Sequence, residues 1–314
     1  MVRSCAFLVL RRPNKESNLI KSLKKILEKA NVLIEALPYI RNFYGKTFII
    51  KYGGSAQIKQ NLKDAFAQDV VLFNYIGIHP VIVHGGGPRI SSMMEKMGKR
   101  PKFIQGQRFT DRETMDIVEK VLVGLINKEI VSLINSHGGK AVGLSGKDGG
   151  LIKAKKKLLK ASTEKGKRKT IDLGFVGDVT DVDTRRLMSL EKEGFIPVIS
   201  PIGINQEGET LNINADSVAA FIASELKAEK LILLTDVPGV KDRNGRIIST
   251  LTLQQIKKLT KEGTIAGGML PKVQACLETI RGGVLKTHII DGRVPHCLLL
   301  EIFTNRGIGT EISA

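Results

Sequence analysis

The sequence has no tryptophan, few aromatic residues and little cysteine. Its three cysteines, Cys5, Cys276 and Cys297, are odd in number and far apart, so they indicate neither a disulfide framework nor a paired zinc site. No apolar run approaches the roughly 20 residues that a membrane helix needs. We therefore expect a cytoplasmic globular protein that neither spans a membrane nor depends on disulfides.

At the N-terminus, an apolar run at residues 5–10 is flanked by Arg3, Arg11 and Arg12. The run is short for the apolar part of a signal peptide, and no small-residue cleavage site follows it. We interpret these residues as an unstructured leader, with plastid targeting as the alternative to a cytoplasmic location.

The formal net charge of +18 raises the question of a nucleic acid or an acidic membrane as partner. Residues 153–169 carry nine basic residues against one acidic residue, and residues 1–29 carry eight against two, so these segments hold +8 and +6 of the total. No aromatic residue interleaves the lysines at 153–169, so the stacking surface of a single-strand binder is missing. We expect this run on an exposed hairpin or loop and predict no nucleic-acid partner.

Between residues 19 and 37, apolar residues recur at three- and four-residue steps, which predicts an amphipathic helix. Pro38 then predicts its end. The apolar stripe must be buried against something. Packing on the chain's own domain and contact with another subunit are equally open.

Strand-like apolar runs alternate with helical stretches along the rest of the chain. Strands are predicted at residues 47–51, 80–83, 141–144, 197–200, 231–235 and 287–290, and helices at 62–76, 89–97, 114–136 and 216–225. This alternation predicts an α/β fold in which a mainly parallel, open sheet lies between layers of helices.

Two glycine-rich segments directly follow early strands, at residues 51–54 (KYGG) and 84–88 (HGGGP). Ligands of open α/β sheets lie beyond the carboxyl ends of the strands, and glycine N–H groups near a helix N-terminus suit an anion. Neither segment matches the dinucleotide or Walker pattern. One glycine pair is more typical of a tight turn, but two such segments favour a phosphate or carboxylate site.

Two later segments carry polar residues in suggestive places. In residues 211–216 (LNINAD), Asn212, Asn214 and Asp216 alternate and would share one side of an extended chain, although Asp216 could simply cap the following helix. Residues 264–272 (TIAGGMLPK) place Lys272 in the first turn of a helix, where it opposes the helix dipole. A nearby anion would explain this lysine, and a surface position is the alternative.

With these segments, the sequence resembles the amino acid kinase family. The resemblance runs from about residue 31 to the C-terminus and rests on IIKYGG, VIVHGGGP, GQRFT, GLSGKDG, LNINAD, LILLTDVPGV, GGMLPKV and LEIFTNRGIGT. It implies a basic leader and an oligomerisation and regulatory helix at residues 1–37, an acid-substrate lobe at 38–224 and an ATP lobe at 225–314. One departure is GQRFT, where the family more usually has GLRVT.

The resemblance implies transfer of the γ-phosphoryl group of ATP to the side-chain carboxylate of N-acetyl-L-glutamate. Lys51 and Lys272 would stabilise the transition state and Asp216 would orient them. Mg²⁺ would be carried by the nucleotide, with no metal site on the protein. The acid would contact Gly86, Gly87, Arg108 and Asn212, and the nucleotide would contact Gly53, Gly54, Asp236, Gly239, Val240, Lys241, Thr264 and Gly268.

The resemblance also points to the arginine-inhibited branch, in which N-terminal helices interlace dimers into a hexameric ring. His288, Glu301 and Gly307 would bind arginine, unless residues 298–303 form an ordinary terminal strand. Two other functions stay open. One is a kinase for aspartate, glutamate or carbamate, disfavoured by LNINAD; the other is a non-catalytic arginine-responsive protein, disfavoured by the presence of Lys51, Lys272 and Asp216 together.

Overall fold

A computed structural model describes residues 15–162, 168–304 and 307–314. By its contacts the chain divides into two units, Met1–Asn42 and Phe43–Ala314. The leader expected at residues 1–12 lies outside the described residues. In the part of the chain that the structure covers, no helix is long and apolar enough to cross a membrane.

The first helix, α1 (Lys15–Phe43), continues through Pro38, so the predicted end of this helix was wrong. Proline removes one backbone hydrogen bond, but the apolar pattern resumes beyond it. At the end of the helix, Phe43 is buried and packs edge-to-face on Phe48, with ring centroids 5.2 Å apart. The last residue of the helix is thus anchored beside β1.

The chain from residue 43 onward alternates strands and helices. The strands are β1 (Thr47–Tyr52), β2 (His79–His84), β3 (Phe103–Ile104), β4 (Gln107–Arg108), β5 (Ala141–Ser145), β6 (Ile152–Ser162), β7 (Arg168–Val182), β8 (Ile196–Ser200), β9 (Ile202–Ile204), β10 (Thr210–Ile213), β11 (Lys230–Thr235), β12 (Thr250–Thr252), β13 (Lys286–Asp291) and β14 (Thr310–Ser313). The helices are α2 (Gln60–Tyr75), α3 (Gly87–Lys96), α4 (Arg112–Glu119), α5 (Asn127–Ser136), α6 (Thr184–Lys192), α7 (Ala215–Glu225), α8 (Leu253–Lys261), α9 (Met269–Arg281) and α10 (Cys297–Ile302).

The main sheet has eight strands in the order β12-β14-β13-β11-β1-β2-β8-β5. Every neighbouring pair is parallel except β13 with β14. Successive residues of β1 face opposite sides, so Phe48 contacts Phe73 of α2 while Ile49 belongs to a core with Val218 of α7. Helices therefore cover both faces, which confirms the predicted layered α/β fold.

The lysine-rich run lies on a hairpin of β6 and β7, which belongs to a small closed barrel with β9 and β10. This confirms the predicted hairpin; residues 163–167 lie outside the described part of the chain. Three of its lysines pair with aspartates on the opposite strand, at 2.7 to 2.9 Å: Lys153 with Asp181, Lys156 with Asp172, and Lys157 with Asp178. Cross-strand pairing thus offsets part of the positive charge.

Two predicted elements differ from the structure. The single helix predicted at 114–136 is interrupted by a π-helical segment, Lys120–Ile126, which joins α4 to α5. Such wide turns often occur at functional sites, and here Leu122 lies beside Gly86. The strand considered for residues 298–303 was also wrong, because these residues belong to α10 and its end, and β14 is the terminal strand.

Candidate active site

A cavity of about 300 Å³ opens beyond the carboxyl ends of β1 and β2. The lining includes two predicted catalytic residues, all four predicted substrate residues and two predicted nucleotide residues: Lys51, Asp216, Gly86, Gly87, Arg108, Asn212, Gly53 and Gly54. The third predicted catalytic residue, Lys272, is not part of this lining. The rest of the wall includes apolar side chains that were not predicted from the sequence, among them Ile90, Phe103, Leu122 and Val176. Segments far apart in sequence therefore converge at the sheet edge where α/β proteins bind ligands.

At the centre of the site, Asp216 pairs with two lysines. Its Oδ1 lies 3.0 Å from Lys51 Nζ and its Oδ2 lies 3.2 Å from Lys272 Nζ. Asp216 does not cap α7, because that role belongs to Asn214, whose side chain accepts hydrogen bonds from the backbone N–H groups of Asp216 and Ser217. With the cap supplied two residues earlier, the carboxylate of Asp216 is free to hold the two ammonium groups.

The electrostatic balance of this trio favours an anion. Burial alone would raise the pKa of the Asp216 carboxyl, but the charges of Lys51 and Lys272 outweigh it and hold that pKa below its ordinary value. Asp216 is therefore ionised at neutral pH. Two ammonium groups and one carboxylate leave one net positive charge beside the cavity, where a negatively charged ligand is stabilised.

The glycines after β1 provide space at the same edge. A Cβ at Gly53 would lie 2.8 Å from Lys51 Nζ. At Gly54, φ is +70° and a Cβ would lie 2.4 Å from Asp236 Oδ1. At Gly54 both the left-handed backbone and the nearby carboxylate favour glycine, whereas a side chain at Gly53 would have to displace the end of the Lys51 side chain.

Arg108 of β4 is held against helix α3. Its Nη2 donates to the carbonyl oxygen of Gly87 at 3.0 Å and to Ser91 Oγ at 2.8 Å. Its guanidinium also lies over the ring of Phe103, 4.8 Å from the centroid. Burial lowers the pKa of Arg108, but a guanidinium still remains protonated at neutral pH. The side chain is thus a fixed cation in the cavity wall.

The remaining predicted nucleotide contacts lie outside the lining of this cavity: Asp236, Gly239, Val240, Lys241, Thr264 and Gly268. The loop after β11 is fastened to the terminal strand, since the N–H of Val240 donates to Thr310 Oγ1 at 2.9 Å. Gly268 immediately precedes α9, which carries Lys272. The assignment of these residues to ATP stays a prediction.

No ligand set for a resident metal ion is evident among the described residues. Among the residues the structure describes, no group of three histidine, cysteine, aspartate or glutamate side chains could hold one. The buried carboxylate of the site, Asp216, is already engaged by Lys51 and Lys272. A divalent cation would therefore have to bring most of its ligands with it.

A second charged cluster lies near the C-terminus and unites the residues predicted to bind arginine. His288 Nδ1 lies 2.7 Å from Glu301 Oε1, and both side chains are buried. Glu301 Oε2 accepts hydrogen bonds from the N–H groups of Ile308 and Gly309 at 2.6 and 3.2 Å. A Cβ at Gly307 would lie 2.8 Å from Glu301 Oε2. Helix α10 and the segment after it are thus joined through the buried carboxylate of Glu301.

Lys230 also belongs to this second cluster, although it was not predicted from the sequence. Its Nζ lies 3.1 Å from His288 Nε2, and the residue is buried. It stands at the start of β11, where nothing in the local pattern distinguishes it from a surface lysine. Parallel pairing of Ile232 with His288 brings the two strands together, a contact that only the sheet order reveals.

Comparison with known proteins shows the family of the chain. Residues 46–291 match the sequence profile of the amino acid kinase family. A curated acetylglutamate kinase from Geotalea uraniireducens (strain Rf4) is 57% identical over 290 residues, which are 92% of this chain and 99% of the relative.

Solved structures share the architecture. An N-acetylglutamate synthase from Neisseria gonorrhoeae, complexed with coenzyme A and N-acetyl-glutamate, superposes with a TM-score of 0.79 at 25% identity and covers 91% of this chain. This chain spans 63% of that synthase's length. A carbamate kinase from Giardia, at 18% identity and a TM-score of 0.61 over 86% of this chain and 99% of its own, shares the fold.

Proposed function

The chain belongs to the amino acid kinase family and, within it, to the acetylglutamate kinases, and from this premise we propose that it phosphorylates the side-chain carboxylate of N-acetyl-L-glutamate with ATP. The products are ADP and N-acetyl-L-glutamyl 5-phosphate, an acyl phosphate of arginine biosynthesis. The observation that carries the proposal is the bridge from Lys51 through Asp216 to Lys272 at the edge of the cavity.

The reaction forms a bond from a carboxylate oxygen to the γ-phosphorus and breaks the bond from that phosphorus to the β–γ bridging oxygen. The attacking carboxylate is already ionised at neutral pH, so no general base is needed. Phosphoryl transfer depends mainly on positioning and on neutralising the charge of the equatorial oxygens. Lys51 and Lys272 supply that charge, and Asp216 holds both ammonium groups in place.

Arg108 is suited to the α-carboxylate of the acid substrate. The contacts with Gly87 and Ser91 use both Nη2 hydrogens and fix the orientation of the guanidinium, which leaves its Nε and Nη1 hydrogens for charge-assisted bonds to a carboxylate. Gly86, Gly87 and Asn212 line the same cavity and offer backbone and amide donors. We assign the amino-acid end of the substrate to the side of Arg108 and its reacting side-chain carboxylate to the side of Gly86.

ATP is assigned to the glycines after β1 and to the loops after β11 and before α9, where Gly53, Gly54, Asp236, Gly239, Val240, Lys241, Thr264 and Gly268 lie. Mg²⁺ enters with the nucleotide and offsets phosphate charge. This fits a site whose buried carboxylate is already paired with lysines.

The proposal is tested by measuring ADP release from the purified protein with N-acetyl-L-glutamate, L-glutamate, L-aspartate and carbamate in turn. We expect turnover with the acetylated acid and little with the others. Turnover with another acid alone would reassign the substrate. No turnover with any of them would end the kinase proposal.

Replacing Arg108 with alanine is expected to raise the KM for N-acetyl-L-glutamate by about 100-fold, because two charge-assisted hydrogen bonds are lost. The effect on kcat should be smaller, since the α-carboxylate carries the same charge before and during transfer. Steady-state kinetics at saturating ATP measures both values. Arg186→Ala, which removes an exposed arginine paired with Asp183, is the control and should leave them unchanged.

We propose arginine as a feedback effector that binds the second charged cluster. The carboxylate of Glu301 suits a guanidinium, and buried Lys230 suits the carboxylate of a free amino acid. Because α10 and β13 belong to the unit that carries the catalytic lysines, an effector here can bias that unit's conformation.

Glu301→Ala is expected to raise the arginine concentration for half-inhibition by about 30-fold, the loss of one charge-assisted interaction. Activity without arginine should persist, because Glu301 does not line the catalytic cavity. The measurement is an arginine titration of ADP release. The control is Glu262→Ala, which removes the partner of Arg243 just after α8 and should leave the response to arginine unchanged. If the two variants were equally sensitive to arginine, Glu301 would not belong to the effector site.

We also propose a homodimer that assembles further, into a hexamer, through α1. Among the α1 side chains that the structure describes, seven apolar ones are 47% to 72% exposed, and all but Val32 lie on one face of the helix: Leu23, Ile26, Leu27, Val32, Leu33, Ile34 and Leu37. Such a stripe on one long helix is typical of a protein contact. The exposed Leu side chains would be buried between copies of this chain.

Deleting residues 1–37 is expected to reduce the oligomer from hexamer to dimer and to weaken arginine inhibition, while activity persists. Light scattering with size-exclusion chromatography measures the mass of the oligomer. ADP release, with and without arginine, measures activity and its inhibition. Hexamers that survive the deletion would refute the role of α1.

A further inference from the structure

A buried polar network lies next to the triple glycine after β2, and none of its residues has a role in the proposed reaction. His84, the last residue of β2, is fully buried, and its Nδ1 lies 3.1 Å from the carbonyl oxygen of Gly85. Its Nε2 lies 3.1 Å from Ser200 Oγ and 3.3 Å from Asn127 Nδ2. Both ring nitrogens of His84 therefore have partners.

The partners determine the tautomer of His84. A carbonyl oxygen only accepts, so Nδ1 carries the hydrogen and donates to Gly85. Burial lowers the pKa of His84 to about 4, so the ring is neutral at physiological pH. Nε2 is then an acceptor, and either the amide of Asn127 or the hydroxyl of Ser200 can donate to it.

A second side chain holds the same carbonyl oxygen. Gln57 Nε2 donates to the backbone carbonyl oxygens of Gly85 and Tyr52, at 3.3 and 3.1 Å. The N–H of Gly85 donates to Tyr52 as well, at 2.8 Å. The Gly85 end of the loop is thus fastened to β1 and to the His84 network together.

Holding the oxygen of Gly85 also orients the next N–H. In a trans peptide the carbonyl oxygen and the following N–H point in opposite directions, so the Gly86 N–H is directed away from the network. Gly86 lines the catalytic cavity, and no acceptor in the described part of the chain contacts its N–H. A glycine peptide has few steric restraints of its own, so such orientation must come from its neighbours.

Building on the proposed function, we infer that His84 and Gln57 are positioning residues that orient the Gly85–Gly86 peptide, so that the Gly86 N–H faces the transferring phosphoryl group. A donor fixed in advance stabilises charge that develops in the transition state without reorganising. Neither side chain touches the reacting atoms. Their effect is carried by the one peptide that both of them hold.

Two replacements of His84 separate positioning from packing. The amide of asparagine reaches the place of Nδ1 and can still donate to Gly85, whereas the amide of glutamine reaches the place of Nε2. We expect His84→Asn to keep kcat within about fivefold of the wild type. We expect His84→Gln to lower kcat by about 100-fold, the effect of losing one oriented donor, with little change in the KM for the acid.

Gln57→Leu provides an independent test, because Gln57 is only partly buried and its replacement leaves the core intact. We expect a fall of about tenfold in kcat, since His84 still holds the carbonyl oxygen. The matched control is Ser200→Ala. It should leave kcat unchanged, because Asn127 can still donate to Nε2 of His84.

The measurements are kcat and KM for N-acetyl-L-glutamate, with melting temperatures for every variant. Equal kcat in the two His84 variants, or losses that simply follow the melting temperatures, would reduce His84 to a packing role and overturn the inference. An unchanged kcat in Gln57→Leu would overturn it as well, even if the His84 variants fail to fold. A wild-type protein without activity would instead contradict the proposed function on which the inference rests.

Discussion

Lys272→Ala is expected to lower kcat by about 1000-fold while leaving the KM for N-acetyl-L-glutamate nearly unchanged. In the proposed mechanism the ammonium group of Lys272 stabilises negative charge on the phosphoryl group during transfer, so its removal should affect the transition state more than the bound substrate. Steady-state kinetics with each substrate varied in turn measures this difference.

The fold should survive this replacement. Lys272 is partly exposed, and Asp216 keeps its pairing with Lys51. Lys153→Ala is a matched control, because Lys153 forms an ion pair of similar length with Asp181 on the β6–β7 hairpin. The control should have normal kinetics. A normal kcat in Lys272→Ala would remove this lysine from the mechanism.

Asp216→Asn is expected to impair both catalysis and stability. The change leaves two ammonium groups beside one another without their shared carboxylate, so kcat should fall by about 100-fold or more. Removing one partner of a buried ion pair costs about 3 kcal/mol of unfolding free energy. Urea denaturation at neutral pH measures the stability loss.

The pH dependence of that loss has a definite sign. The folded-state pKa of Asp216 lies below its unfolded value, so its contribution to stability is present above the ordinary value of 3.8 and is lost as the pH falls below it. The stability difference between wild type and Asp216→Asn should therefore shrink in acid. Asp181→Asn, on the exposed hairpin, should change little at any pH. A difference that grows in acid would contradict the assigned ion pairs.

The sequence allowed much of the fold to be predicted because local patterns specify it. Runs of apolar residues marked the six main parallel strands, and glycines directly after two of them marked the edge where ligands bind. The same reasoning placed the lysine-rich run on a hairpin, where β6 and β7 now pair across it. In each case the decisive signal is continuous in the sequence.

The features that were missed depend on contacts distant in sequence. Continuation of α1 through Pro38 and the break at Lys120–Ile126 reflect packing that outweighs local preference. Asn214 caps α7, a role for which Asp216 was the candidate. The carboxylate of Asp216 therefore pairs with Lys51 and Lys272 instead. A single sequence does not reveal such choices between neighbouring polar residues.

Roles within the site show the same division. In the sequence, Lys51 and Lys272 are each only a lysine near glycines. The structure shows that one carboxylate, that of Asp216, pairs with both of them. Ser91 behind Arg108 and the network under the triple glycine carried no signal in the sequence, because their partners lie on other elements. The structure adds the residues that contact the proposed site from other elements.

The central claim is that this site makes an acyl phosphate, and trapping with hydroxylamine tests it most directly. Hydroxylamine converts an acyl phosphate to a hydroxamate, which is quantified by its ferric complex. With N-acetyl-L-glutamate and Mg²⁺-ATP, we predict one hydroxamate for each ADP released by the wild type, and almost none with Lys272→Ala. ADP released without hydroxamate would show that the phosphoryl group goes elsewhere and would contradict the account.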